Sequence, residues 1–243
     1  MLILNGGGSG EQIKESYKLF SQKLNGGKVL YVPLAWNHGD YEDCLKWFKS
    51  EMEPFGVFDI EMVVSANQIS KEKLKEVKGV FIGGGNTFKL LKSLKESCAF
   101  ENLKEFASND EKVIMGGSAG ALIFGASIET CEDDGIKIKS FSDKNEVGLK
   151  DFSGFDLLDG FSLFVHYEKL EEQIEMTKQR VERLSEKGFK LVCLPEETSL
   201  VVDHDNCFFV GTKNAKIVTP TQNLIEKPSK LKKNIFLNGE RKR

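Results

Sequence analysis

Short apolar runs alternating with amphipathic helical stretches point to an α/β protein. The expected architecture is a three-layer, doubly wound, mostly parallel sheet with a short antiparallel C-terminal extension. Two observations predict it. The strand candidates are short and nearly continuous in apolar residues, as needed when helices cover both faces of a sheet. Strand is also followed by helix repeatedly from the start of the chain, the βα order that yields parallel strands.

The first strand is Leu2-Ile3-Leu4. A glycine-rich turn over 6–10 follows, then a helix over 11–24 in which Ile13, Tyr17, Phe20 and Leu24 recur at helical spacing. A strand over 28–34 leads to a helix over 41–54 with Leu45, Trp47, Phe48 and Met52 as its apolar positions. Strands over 59–64 and 77–83 come next, the second closed by Gly84, Gly85 and Asn86. Helices are expected over 87–94 and 100–108, a fifth strand over 112–115, and a helix over 121–124 beyond Gly116-Gly117-Ser118-Ala119-Gly120. Residues 129–158 carry acids and glycines with few periodic apolar positions, and read as loops and short strands.

A strand over 161–165 ends at His166, a polar helix spans 170–187, and a buried strand over 191–194 ends at Pro195 and Glu196. Segments 199–202, 207–210 and 216–219 read as an antiparallel set joined by turns at 203–206 and 211–214. The stretch 226–243 holds seven Lys/Arg against two Glu and reads as a solvated tail or edge strand. With no internal repeat and no linker-like segment, one domain over 1–243 is expected.

Composition narrows the function classes. Apolar residues make up 40% and charged residues 29% of 243, a globular profile. A net charge of −3 offers no basic excess for nucleic acid. No apolar run approaches the ~18 residues of a membrane helix. The N-terminus lacks the basic and apolar regions of a secretory signal. Five scattered cysteines without a C-x-x-C pair speak against a disulfide framework or a zinc site. The expectation is a cytoplasmic protein without metal or cofactor and without nucleic-acid or membrane partners; monomer and homodimer are both left open.

The strongest chemical signal is Gly116-Gly117-Ser118-Ala119-Gly120. It fits G-x-S-x-G with an apolar strand before it and a helix-forming run after it. A nucleophile on a sharp strand-to-helix turn needs small neighbours, and a helix start beyond it favours a developing oxyanion. Gly83-Gly84-Gly85-Asn86 closes another strand. In a parallel sheet both loops lie at the carboxyl edge, so the amides of Gly84 or Gly85 and Ala119 are oxyanion-hole candidates.

A serine nucleophile needs a base, and there are three histidines. His166, leaving a strand end, ranks first; His38 follows the strand over 28–34; His204 falls in a turn. The base in turn needs an orienting acid. Glu196, stiffened by Pro195, is preferred, with Asp133 in the acidic run 132–134 kept open.

These residues resemble the peptidase E family (dipeptidase E, alpha-aspartyl dipeptidase). The resemblance is carried by Phe81-Ile82-Gly83-Gly84-Gly85-Asn86-Thr87-Phe88, Gly117-Ser118-Ala119-Gly120-Ala121, Val165-His166-Tyr167 and Leu194-Pro195-Glu196, which occur in the family's order and approximate spacing. It covers residues 1 to about 203, leaving the extra strands and basic tail unmatched. The family is related to cyanophycinase and shares the class I glutamine amidotransferase-like fold, with its flavodoxin-like core. The resemblance implies a serine peptidase cleaving short peptides, dipeptides with an acidic first residue among them. Ser118 would be nucleophile, His166 base, and Glu196 or Asp133 the third member, with Gly84, Gly85 and Ala119 as oxyanion hole. Serine in place of the amidotransferases' cysteine argues against a glutaminase. The position of the family's aspartate-reading arginine is Thr177 here, which leaves Asn86, Lys178 and Arg180 as substrate-binding candidates.

Overall fold

The structure, a computed structural model, describes residues 1–37, 40–132, 142–167, 174–204 and 206–226. Its strands in chain order are β1 (Leu2–Asn5), β2 (Val29–Val32), β3 (Ile60–Met62), β4 (Gly79–Ile82), β5 (Val113–Gly117) and β6 (Phe161–Phe164). They continue as β7 (Lys190–Cys193), β8 (Thr198–Asp203), β9 (Asn206–Gly211), β10 (Ala215–Thr219) and β11 (Gln222–Glu226). The helices are α1 (Lys14–Leu24), α2 (Tyr41–Met52), α3 (Lys71–Glu76), α4 (Thr87–Lys95), α5 (Ala99–Ala107), α6 (Ala119–Leu122) and α7 (Ile174–Glu186).

The main sheet has seven strands in the order β3-β2-β4-β5-β1-β8-β9. Strands β1 to β5 run parallel, and β8 and β9 extend the sheet antiparallel beyond β1. The apolar strands divide by residue parity, as a period of two requires. Ile3, Tyr31, Phe81 and Met115 face the layer of α1 and α2, where they meet Tyr17, Phe20 and Phe48. Leu4, Leu30, Ile82 and Ile114 face the other way, onto Leu90, Leu91 and Phe124. Both faces are thus covered, which explains why these strands lack polar alternation.

The C-terminal part differs from the antiparallel set expected over 199–219. Only β8 and β9 form that hairpin. After Gly211 the chain leaves the main sheet, and β10 pairs antiparallel with β7 in a second sheet ordered β11-β10-β7-β6. Thr198 Oγ1 donates to the Lys213 carbonyl at 2.7 Å, fastening the crossing between the sheets. With β10 paired to β7, Ala215, Ile217 and Val218 are all buried. Two further elements carry weak sequence signals. Helix α3 is short and mostly charged, marked only by its Ser70 cap and buried Leu74. Strand β11 is joined to β10 by a tight turn at Pro220 and Thr221.

The second sheet positions the site. β6 and β7 are parallel neighbours, so residues beyond their carboxyl ends emerge together. Three backbone bonds tie that end to the loop after β1: His166 N to Gly6 O at 2.8 Å, Gly6 N to Thr198 O at 3.0 Å and Gly8 N to Glu196 O at 3.1 Å. On the other side of β1, α6 lies so close to β4 that a Cβ on Gly120 would stand 2.1 Å from the Ile82 carbonyl oxygen. Gly120→Ala is therefore expected to lower folding stability by about 1–3 kcal/mol through overpacking, read as a lower urea midpoint with an unchanged slope.

Candidate active site

Ser118 follows β5 directly and takes φ 51° and ψ −114°, a conformation that costs a non-glycine residue about 1–3 kcal/mol and has to be held by its surroundings. Its amide donates to Asn5 O at 3.2 Å, and its carbonyl accepts from Ala121 N at 2.9 Å and Leu122 N at 3.0 Å. The helix begins at Ala119, two residues earlier than the sequence pattern suggested, and lasts only one turn. Any electrostatic help from it therefore comes from individual amides at the elbow rather than from an extended helix dipole.

Three chain-distant side chains meet here. Ser118 Oγ lies 2.9 Å from His166 Nε2. His166 Nδ1 lies 2.6 Å from Glu196 Oε1. The imidazole and carboxylate side chains are only 11% and 13% exposed, so bulk water competes weakly for either bond. An ionised carboxylate only accepts, so an ionised Glu196 pairs with the neutral tautomer that carries its proton on Nδ1 and turns the Nε2 lone pair to the serine hydroxyl.

The loop after β1 makes room for the imidazole. Gly7 adopts φ +119°, and a Cβ there would fall 2.0 Å from His166 Cε1 and 2.5 Å from Nδ1. No side chain fits between this backbone and the ring. From sequence alone 6–10 is a glycine-rich turn; three successive glycines at a strand's carboxyl end are the available signal. Asn5 also escaped it. Its fully buried amide donates to Glu196 O at 3.2 Å and Ser199 Oγ at 3.1 Å, while its Oδ1 accepts from Gly7 N at 2.7 Å. One side chain thereby links the loop under the imidazole to the segment carrying the carboxylate.

Of the oxyanion-hole candidates, Ala119 starts α6 next to the serine. Gly84 is packed against Ser118: a Cβ built on it would be 3.2 Å from Ser118 Cβ. Gly85 instead lies against the backbone of Ala35 and Trp36. The Asn86 side chain caps α4 by accepting from Lys89 N at 2.9 Å and donates to Lys144 O at 2.9 Å. Thr177 is buried, Lys178 is exposed on α7, and buried Arg180 donates from Nη1 to Ser142 Oγ at 3.1 Å. Asp133 and His38 lie outside the described residues. His204 is half exposed in its turn, with Nδ1 3.2 Å from Asp110 Oδ1.

A further acid, Asp143, was not singled out from sequence. Its Oδ2 accepts from Thr87 N at 2.7 Å and Thr87 Oγ1 at 2.6 Å. Burial raises its pKa, against the opposing pull of those hydrogen bonds and of nearby His166. Among the described residues, no cluster of His, Cys, Asp and Glu is arranged to hold a metal ion.

A cavity of about 450 Å³ opens at Ser118, between the main sheet and the layer of α1 and α2. Gly7, Gly84, Gly117 and Ser118 form its active-site border, and Tyr31, Phe81 and Met115 its sheet wall. This is the size range of small-ligand sites, roughly 300–1,000 Å³.

Residues 1–210 match the family model of Peptidase family S51. A probable alpha-aspartyl dipeptidase of Drosophila melanogaster is 27% identical over 219 residues, covering 88% of this chain and 85% of that protein. Peptidase E of Shewanella denitrificans is 27% identical over 211 residues, covering 84% and 82%. The crystal structure of a peptidase from an acI-B1 actinobacterium superposes with a TM-score of 0.70 at 18% identity, covering 96% of each chain, and shares the fold. With its family model matched from the first residue through β8 and most of β9, the chain belongs to Peptidase family S51 and is a serine-type peptidase.

Proposed function

We propose that the protein hydrolyses short peptides by a Ser118–His166–Glu196 mechanism through an acyl-enzyme. The observation that carries this reading is the continuous chain from hydroxyl to imidazole to carboxylate, with contacts of 2.9 Å and 2.6 Å. His166 Nε2 removes the Ser118 proton as Oγ attacks the peptide carbonyl. The amides of Gly84 and Ala119 receive the oxyanion, each donor being worth on the order of 10²–10³ in rate. His166 then passes its proton to the leaving amine, and the C–N bond breaks. A water deprotonated by His166 hydrolyses the ester, returning Ser118. Glu196 keeps the imidazole in the tautomer that starts the cycle and stabilises the imidazolium formed during it.

The resemblance and the Drosophila relative's name suggest an acidic first residue. The described residues give that preference no support. Thr177 is not cationic, Lys178 is exposed, and Arg180 is turned to Ser142. The substrate proposed is therefore a short peptide.

Ser118→Ala should lower dipeptide hydrolysis by at least about 10⁴-fold with an unchanged far-UV circular dichroism spectrum. Turnover persisting in that variant would reject the nucleophile. Glu196→Gln should lower kcat by about 10³- to 10⁴-fold, because the tautomer is no longer fixed. An effect below tenfold would point to another orienting acid. Gly7→Ala should displace the imidazole by an ångström or more, costing on the order of 10²-fold in kcat. Labelling of that variant by a serine-reactive phosphonate should slow in parallel; wild-type labelling would show that the loop yields instead of the ring.

A further inference from the structure

We propose that Asn5 is a positioning residue of the relay: its side chain sets the Glu196–His166 contact and thereby the rate at which Ser118 reacts. The inference rests on the Ser118–His166–Glu196 reading and adds to it a fourth residue that touches none of the reacting atoms.

Asn5 ends β1 between β5 and β8, aligned with Gly117 on one side and Ser199 on the other. Its Oδ1 accepts from Gly7 N at 2.7 Å, and its Nδ2 donates to Glu196 O at 3.2 Å and Ser199 Oγ at 3.1 Å. Gly7 N can only donate and Glu196 O can only accept, so one orientation of the amide satisfies both. Asn5 borders the cavity at Ser118, yet the residue is fully buried and both Nδ2 hydrogens are engaged. It acts on the loop and on the carboxylate segment, not on a substrate.

The two arms of this amide end on the two groups that confine the imidazole. The Gly7 backbone is packed on the Cε1–Nδ1 edge of the ring, and Glu196 holds Nδ1 at 2.6 Å. Removing Oδ1 takes the acceptor from the Gly7 amide, and the backbone at 7 has to turn toward a new one. A shift of that wall frees the ring to move. Removing Nδ2 takes a donor from the Glu196 carbonyl, which keeps its bond from Gly8 N at 3.1 Å. Because that bond survives, the relay is displaced and not dismantled. The expected loss is about 10- to 100-fold in rate, less than the roughly 10³- to 10⁴-fold of disabling the carboxylate itself. Behind Ser199 stands Ser16 of α1, also buried, with its Oγ 2.8 Å from Ser199 Oγ. Ser16→Ala disturbs the same junction of α1, β1 and β8 without removing a bond to Gly7 or Glu196, and so separates packing from positioning.

The test reads the second-order rate at which a diphenyl aminoalkylphosphonate labels Ser118 in the full-length protein, followed by intact mass. Asn5→Ala should label about 10- to 100-fold more slowly than wild type with an unchanged far-UV circular dichroism spectrum. Made in Glu196→Gln, the same substitution should cost less than about 3-fold further, because it acts through a contact already disabled. The far-downfield proton resonance of the bond between His166 Nδ1 and Glu196 should broaden or move upfield in Asn5→Ala. Ser16→Ala should lower the urea midpoint yet label within about 2-fold of wild type. Asn5→Ser leaves a smaller void and carries the same expectations if the alanine variant does not fold. A folded Asn5→Ala or Asn5→Ser protein that labels like wild type, a loss that multiplies in full with Glu196→Gln, or an equal loss in Ser16→Ala would overturn the assignment while leaving the relay standing. Absence of Ser118 labelling in the wild type would instead reject the mechanism on which it rests.

Discussion

The contact on which the site depends is the approach of the loop after β1 to the ring of His166 and to the backbone around Pro195 and Glu196. Two sheets meet there. The main sheet delivers Ser118 and the glycine loop; the second sheet delivers His166 from the end of β6 and Glu196 from the end of β7. Neither sheet holds all three groups. Their register depends on backbone bonds across the junction and on a gap too narrow for a Cβ at residue 7. Close packing makes such a junction stiff, and a relay of 2.9 Å and 2.6 Å contacts needs that stiffness.

Asn5 extends the same logic with polar atoms. A buried amide is costly unless its donors and acceptor are matched, and here they bond to Glu196, Ser199 and Gly7. Its backbone carbonyl meanwhile receives the Ser118 amide, helping to hold the left-handed elbow. Ser118, the loop beside the imidazole and the segment carrying the carboxylate are thereby tied to one residue at the end of β1. Strain at Ser118 and again at His166, where φ is 52°, is stored beside groups that over-determine the backbone.

Much of this was legible in the sequence because it rests on local rules. Apolar runs beside glycine located β1, β2, β4 and β5, and the one-turn reach of G-x-S-x-G marked the elbow. His166 and Glu196 were legible as polar residues ending buried strands. The partition into two sheets was not. The pattern over 199–219 is the same whether β10 pairs with β9 or with β7, and period-two alternation does not name its partner. Asn5 and Gly7 escaped for a related reason. Their roles come from atoms some 160 to 190 residues away, and a strand-end Asn followed by glycines reads locally as nothing more than a turn.

The aromatic layer joins stability to the cavity at Ser118. Tyr31 stacks on Phe48 at 4.5 Å between centroids, and Phe48 meets Phe81 at 4.3 Å. Phe48 belongs to the core between the sheet and α2, whereas Tyr31 and Phe81 also present surface to the cavity at Ser118. The parity that buries these rings on folding is thus the parity that gives the cavity at Ser118 its apolar wall. A cation introduced at Phe81 or Tyr31 would have to be desolvated within the core, a cost of several kcal/mol that only a partner carboxylate offsets. A charged side chain is more readily accommodated at the rim, at Trp36, Asp43 or Trp47, where solvent reaches the side chain and the core need not repack.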